Sequence, residues 1–147
     1  MSDVLFSVKK GEFGEIAFIT LNRLKALNAL TYEMINEIYL HLVTWEQQFN
    51  IKAVVVRSNS NKAFCAGGDV VKLHEINEHS PDKALSFFKN EYLLNCLIRK
   101  YKKPYICLLD GLTLGGGVGL SLHGSHPIAT ENFSFAMPET GIGFFPD

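Results

Sequence analysis

Two stretches of the sequence could aim backbone donors at a bound oxygen. Ala63-Phe-Cys-Ala-Gly-Gly-Asp69 follows the apolar run Ala53-Val-Val-Val-Arg57, and Asp110-Gly-Leu-Thr-Leu-Gly-Gly-Gly-Val-Gly119 follows Pro104 to Leu109. In each, a buried strand runs into a glycine loop that opens a helix. The first N–H groups of a helix have no internal partner and sit at the positive end of its dipole. Glycine lets a ligand approach the backbone with no Cβ in the way. Two such loops side by side could direct two N–H donors at one oxygen, an oxyanion hole, and losing one such donor costs roughly two to three orders of magnitude in rate. Either loop alone also serves close helix–strand packing.

Other glycine chemistries fail on spacing. Gly115, Gly117 and Gly119 lack the third glycine of a dinucleotide fingerprint, because position 122 is Leu, and no lysine follows to make a phosphate-binding loop. Gly119-Leu-Ser121-Leu-His123 lacks the closing glycine of a nucleophile elbow, so Ser121 is a poor nucleophile. His74, His79, His123 and His126 show no ligand spacing, and no metal site is expected. Glu139, after Pro138, reads first as an acid at a helix start; Glu91 lies mid-helix, where most acids face water; Asp147 is the last residue.

The elements that must hold these loops are legible. Val4 to Val8 and Glu15 to Leu21 read as a hairpin, the second strand apolar on both faces and so expected to be covered on both. Asn22 to Asn28 is a polar loop. Thr31 caps a helix through about Gln48, with Met34, Ile35, Ile38, Leu42 and Trp45 as its buried face. Ala53 to Arg57 is a strand and Ser58 to Lys62 a turn. A helix follows from about Val70 to Asn77, capped by Asp69. Ser80 as cap, Pro81 at the first position and Asp82 in the first turn start another, running to about Arg99. Ile128-Ala129 and Phe133 to Ala136 are short strands. Strands alternating with helices give an α/β fold in one unit over 1–147.

Composition narrows the partners. With 47% hydrophobic residues the chain can bury a core, and a net charge of −1 offers no basic stripe for nucleic acid. The glycine-packed stretch from Gly111 to Gly124 is too short to span a membrane. The N-terminus lacks a basic start followed by an apolar block, and three cysteines without C-x-x-C spacing suit a reducing compartment. The cytosol is expected, with the mitochondrial matrix the alternative in a eukaryote. The end at Phe144-Phe-Pro-Asp147, with no polar tail or cap, reads as a domain cut before its C-terminal part.

Four segments, in order, resemble the crotonase (enoyl-CoA hydratase/isomerase) superfamily. They are Leu21 to Ala29, Ala63 to Asp69, Gly111 to Gly117 and Ala136-Met-Pro-Glu-Thr-Gly-Ile-Gly143. The resemblance implies a crotonase-like spiral of β-β-α units and an acyl-CoA substrate, with coenzyme A part of that substrate and no separate cofactor. It implies that the N–H groups of Gly68 and Gly116 form the oxyanion hole and that Lys25, Ala26 and Leu27 lie near the adenine end. Leu24 departs from the proline often found there. Hydratases of the superfamily carry a glutamate where this chain has Gly119, which disfavours a two-carboxylate hydration.

The pattern is similar to that of the 3-hydroxyisobutyryl-CoA hydrolases. Gly67-Gly68-Asp69, Gly115 to Ser121, Ala136 to Thr140 and Phe145-Pro146-Asp147 all fit it, and Glu91 matches a substrate-contacting acid of that group. The implied roles are Glu139 as nucleophile or general base, with Asp147 and Glu91 holding the substrate hydroxyl or returning a proton to the leaving thiolate; Asp69 joins the substrate-side residues but caps its helix first. The whole protein is expected to be a homo-oligomer. Two other readings stand beside the hydrolase: an enoyl-CoA hydratase or isomerase, and a truncated chain that only binds or assembles.

Overall fold

The computed structural model describes residues 2–146. The hairpin forms from β1 (Val4–Gly11) and β2 (Gly14–Leu21), paired antiparallel in register from Val4↔Leu21 to Gly11↔Gly14. From β2 onward the larger sheet is parallel: β3 (Ile51–Ser58), β5 (Tyr105–Leu109) and β7 (His126–Ala129) follow in the order β1-β2-β3-β5-β7. A second parallel sheet contains only three-residue strands: β4 (Ala63–Cys65), β6 (Leu112–Leu114) and β8 (Ser134–Ala136). Each turn of the chain adds one strand to each sheet: β3 then β4, β5 then β6, β7 then β8.

The passage between sheets needs glycine once. Gly111 turns the chain from β5 to β6 at φ +78, and a methyl group there would meet Lys62 O at 2.5 Å. Its own carbonyl accepts from Ser134 N at 3.1 Å, so the same turn seats β8 beside β6.

Helix α1 (Tyr32–Gln47) starts where Thr31 accepts a hydrogen bond from Met34 N. Its buried face is Met34, Ile35, Ile38, Leu42 and Trp45, as the periodicity demands. These pack on Ala17, Ile19 and Leu21 of β2 and on Val54 and Val56 of β3, the centre of the apolar core. Helix α2 (Val70–His79) buries no residue, whereas α3 (Pro81–Arg99) buries Ala84, Phe87, Glu91, Leu94 and Ile98. The short α4 (Gly116–Leu122) follows β6. No helix among the described residues is long and apolar enough to cross a membrane.

Three expectations are corrected. The second hairpin strand is fully covered on one face only: Ile16 is 37% exposed, and Phe18 lies beneath the charged ends of Lys9 and Arg57. The segments 63–65 and 112–114, read as loop, are strands. Ser80 begins α3 without a side-chain cap bond, leaving Pro81 and Asp82 to mark that start. Of the terminal phenylalanines, Phe135 and Phe145 are exposed, while Phe133 packs on the core and Phe144 stacks on Phe88.

Candidate functional site

The short sheet exists to bring two loops together. Parallel pairing of β4 with β6, through Ala63↔Leu112 and Cys65↔Thr113, carries residues 66–69 and 115–117 off the same edge. Gly67 takes φ +95, and a methyl group on it would lie 3.0 Å from Leu114 O and 3.5 Å from Gly116 N. One on Gly116 would lie 3.4 Å from Gly68 N. The two nitrogens are therefore neighbours. Gly68 is bridged to Leu30 through Leu30 N to Gly67 O and Asp69 N to Leu30 O, a pattern that leaves the Gly68 N–H out. Gly116 opens α4, so its N–H has no partner within the helix.

Two carboxylates converge on these glycines. Glu91 comes from α3 with only 7% of its surface exposed, and its carboxylate lies so close to the Gly116 Cα that any side chain at 116 would collide with it. Glu139 comes from the 3-10 turn Pro138–Ile142. Its Oε1 would be 2.5 Å from a methyl group on Gly115, which takes φ +46, so only glycine fits that position. Its Oε2 is buried and accepts no hydrogen bond among the described residues. A buried carboxylate oxygen without a donor is costly and calls for an explanation, which a bound substrate or water would supply.

All four residues line one cavity of about 360 Å³, whose remaining wall is largely apolar: Val70 and Leu73 of α2, Phe87 and Phe88 of α3, Ile142 and Phe144. Phe144 N donates to Glu139 O at 3.0 Å, tying the aromatic wall to the acid-bearing turn. The arrangement can take a polarised carbonyl oxygen between two N–H groups, with an apolar acyl chain beside it and a carboxylate within reach.

The other expected residues sort clearly. Asp147 lies outside the described residues. Asp69 does not line the cavity: its carboxylate accepts from Lys72 N at 3.0 Å as the α2 cap and from Arg23 Nη2 at 2.6 Å. Burial alone would raise its pKa, but the Lys72 N–H and the Arg23 guanidinium outweigh burial and hold it below the ordinary value. Asp69 thus acts as the α2 cap, with one hydrogen bond on each carboxylate oxygen. Lys25, Ala26 and Leu27 also stay off the cavity wall; Leu24–Ala26 form a 3-10 turn, and Leu27 O accepts from Ala66 N at 3.0 Å, which attaches this loop to the Gly68 loop. At Gly119, a methyl group would lie 2.5 Å from the Asn95 amide nitrogen, so α3 fills the space in front of that glycine.

Burial also settles the thiol nearest the site. Cys65, at the end of β4, has its pKa pushed up to about 12 by burial first and by the negative charge of Glu91 second, so it is a neutral donor and not a nucleophile. No cluster of metal-ligating side chains occurs among the described residues. In a second cavity of about 390 Å³ the basic side chains are already paired, Arg23 with Asp69 and Asp3 and Lys72 with Glu33.

Residue-type reasoning undervalued Glu91. Yet 84, 87, 91, 94 and 98 form one continuous helical stripe, and an acid in the core register of that stripe was the available signal. Arg23, Asn28 and Asn95 had no sequence signal of their own.

The sequence pattern of the enoyl-CoA hydratase/isomerase family matches residues 16–147. A relative from Danio rerio described as a mitochondrial 3-hydroxyisobutyryl-CoA hydrolase is 49% identical over 146 residues, covering 99% of this chain and 37% of the relative. The Homo sapiens protein of the same description is 49% identical over 139 residues, 95% of this chain and 35% of its own length. The chain thus spans little more than a third of these relatives. Among solved structures, a carnitinyl-CoA dehydratase from Mycobacterium thermoresistibile superposes with TM-score 0.94 at 39% identity, covering 100% of this chain and 42% of that one. An enoyl-CoA hydratase from Rhodobacter sphaeroides gives 0.86 at 38%, covering 99% and 42%.

Proposed function

The chain belongs to the enoyl-CoA hydratase/isomerase family, and from that premise we propose that the whole protein hydrolyses the thioester of a short branched 3-hydroxyacyl-CoA, 3-hydroxyisobutyryl-CoA above all. The observation that carries the reading is the buried, unpartnered Oε2 of Glu139 in the cavity that also holds Gly68 and Gly116. The two N–H groups accept the growing negative charge of the carbonyl oxygen. Glu139 then acts in one of two ways. As nucleophile it forms an acyl-enzyme anhydride and expels the CoA thiolate, and water releases the acid. As general base it deprotonates a water that adds to the carbonyl, and collapse of the tetrahedral intermediate expels the thiolate. In either case the thiolate leaves as CoA–SH after protonation, for which Glu91 and Asp147 are the candidates.

The relatives' descriptions support the hydrolase, and so does Gly119, which contributes no acid and faces Asn95. The same descriptions favour the mitochondrial matrix over the cytosol. A homo-oligomer remains part of the proposal for the whole protein. The second reading, hydration or isomerisation of an enoyl-CoA, is favoured by the dehydratase and hydratase structures that share the fold.

The deciding measurement is free CoA release by the full-length protein from 3-hydroxyisobutyryl-CoA, beside hydration of crotonyl-CoA. CoA release without hydration is expected. Hydration without CoA release would hand the assignment to the second reading. In the same assay Glu139→Gln should lower turnover by about a thousandfold or more while acyl-CoA binding stays within a few-fold; unchanged turnover would remove Glu139 from its role.

A further inference from the structure

The Gly68 loop does not hold its shape alone. Residues 27–30 lie along residues 63–69 as an irregular extra strand: Ala66 N donates to Leu27 O at 3.0 Å, Leu30 N to Gly67 O at 2.7 Å and Asp69 N to Leu30 O at 2.9 Å. Gly68 is bracketed on both sides by bonds to this segment, and its position follows wherever the segment goes.

The segment itself takes an unusual course. Leu27 has φ +50 and Asn28 φ +58, consecutive left-handed residues of which neither is glycine. Such backbone persists only where its surroundings over-determine it, and it collects at functional sites. What over-determines it here is Asn28, which is completely buried. Its Nδ2 donates to Ser58 Oγ at 2.7 Å and to Phe64 O at 3.0 Å, with a longer contact to Ala63 O at 3.4 Å. Its backbone N donates to Arg23 O at 3.0 Å, and its carbonyl accepts the Cys65 thiol at 3.2 Å. Its Oδ1 is buried without a donor among the described residues. One side chain therefore stitches the segment to the end of β3 and to β4, at the local cost of an orphaned acceptor and a left-handed turn.

We propose that Asn28 is a positioning residue for the carbonyl-binding loop: its buried amide locks residues 27–30 against β4, and that segment sets where the Gly68 N–H points. The proposal rests on the reading of Gly68 and Gly116 as donors to the thioester oxygen. Asn28 does not line the cavity and touches no reacting atom. It acts on the reaction through the position of one N–H.

The test uses the full-length protein and two variants. Asn28→Gly keeps the left-handed backbone and deletes the amide; Asn28→Asp keeps the shape and replaces the donor with an acceptor. The probe is the ketone analogue of 3-hydroxyisobutyryl-CoA with CH2 in place of the thioester sulfur, whose carbonyl stretch reports polarisation by the hole. Binding to the wild type should lower that stretch from its solution value. In both variants most of the lowering should disappear and kcat should fall about ten- to a hundredfold, while analogue affinity and KM stay within about threefold. A variant that melts earlier yet keeps the wild-type stretch and kcat overturns the proposal, because Asn28 is then only structural. A wild type that binds the analogue with an unshifted carbonyl removes the hole and the proposal with it. Should neither variant yield folded protein, Ser58→Ala, which takes away the amide's shortest-held acceptor, must shift the stretch in the same direction, and an unmoved stretch overturns the proposal.

Discussion

Asp69, Glu91 and Glu139 carry the same carboxyl group in three surroundings. Asp69 is satisfied twice over, by the Lys72 N–H and by Arg23, with 12% of its side chain exposed. Its pKa in the fold lies below the ordinary 3.8. A depressed carboxyl contributes stability that is present in full above the unfolded value and is lost as pH falls through the folded one. Asparagine caps as well as aspartate, so Asp69→Asn should lose only the charge interaction with Arg23 and the helix N-terminus, about 0.5–1 kcal/mol near neutral pH, and its stability should vary less with pH below about 3.8 than that of the wild type. Acid titrations of unfolding free energy for the two proteins check this, and parallel curves would show that the pair contributes nothing. The cap was legible, since an Asp before an apolar helical run has that job by its chemistry. Its guanidinium partner was not, because Arg23 and Asp69 are brought together by the fold across 46 residues. Glu139 drew attention only through its resemblance to known sequences, as nothing in Pro138-Glu139-Thr140 announces a buried oxygen.

At the scale of elements, α4 meets β4 through a glycine with no room to spare. A methyl group on Gly117 would lie 2.5 Å from Cys65 O and 2.8 Å from its Cβ. Backbone cannot swing aside as a long side chain does. Gly117→Ala should push α4 from β4, cost about 1–3 kcal/mol, and lower CoA release more than it lowers acyl-CoA affinity, since Gly116 moves with the helix. Chemical denaturation and steady-state kinetics read the two effects, and an alanine accepted with full stability and activity would mean that the contact relaxes freely. The long elements were readable because α1 and the larger sheet repeat their apolar residues over many positions. The strands β4, β6 and β8 were harder: three residues give no period, and the first two merge into glycine loops.

At the scale of the molecule, each sheet ends on a strand with every residue exposed, β7 in one and β8 in the other. Phe135 of β8 is 50% exposed, and Phe145 in the last segment 63%. Edges of this kind invite pairing with other chains, and in the relatives more than half of the polypeptide is still unaccounted for. Residues 1–147 expressed alone should associate in a concentration-dependent way and release CoA at least about a hundredfold more slowly than the full-length protein. Sedimentation and the CoA assay test this together; an active monomer would show that the two edge strands need no cover.

The cavity is bounded by parts of unequal firmness. Its floor, at Gly68 and Gly116, is pinned by backbone bonds and by glycines in contact with backbone and carboxylate. Its side at Val70 and Leu73 belongs to α2, a helix without one buried residue. An element so lightly held opens locally at little cost. On the proposed reading, such an enclosure would yield to the girth of an acyl group yet hold the carbonyl oxygen to a single place, so that selection would fall on where the reacting bond sits more than on the bulk attached to it.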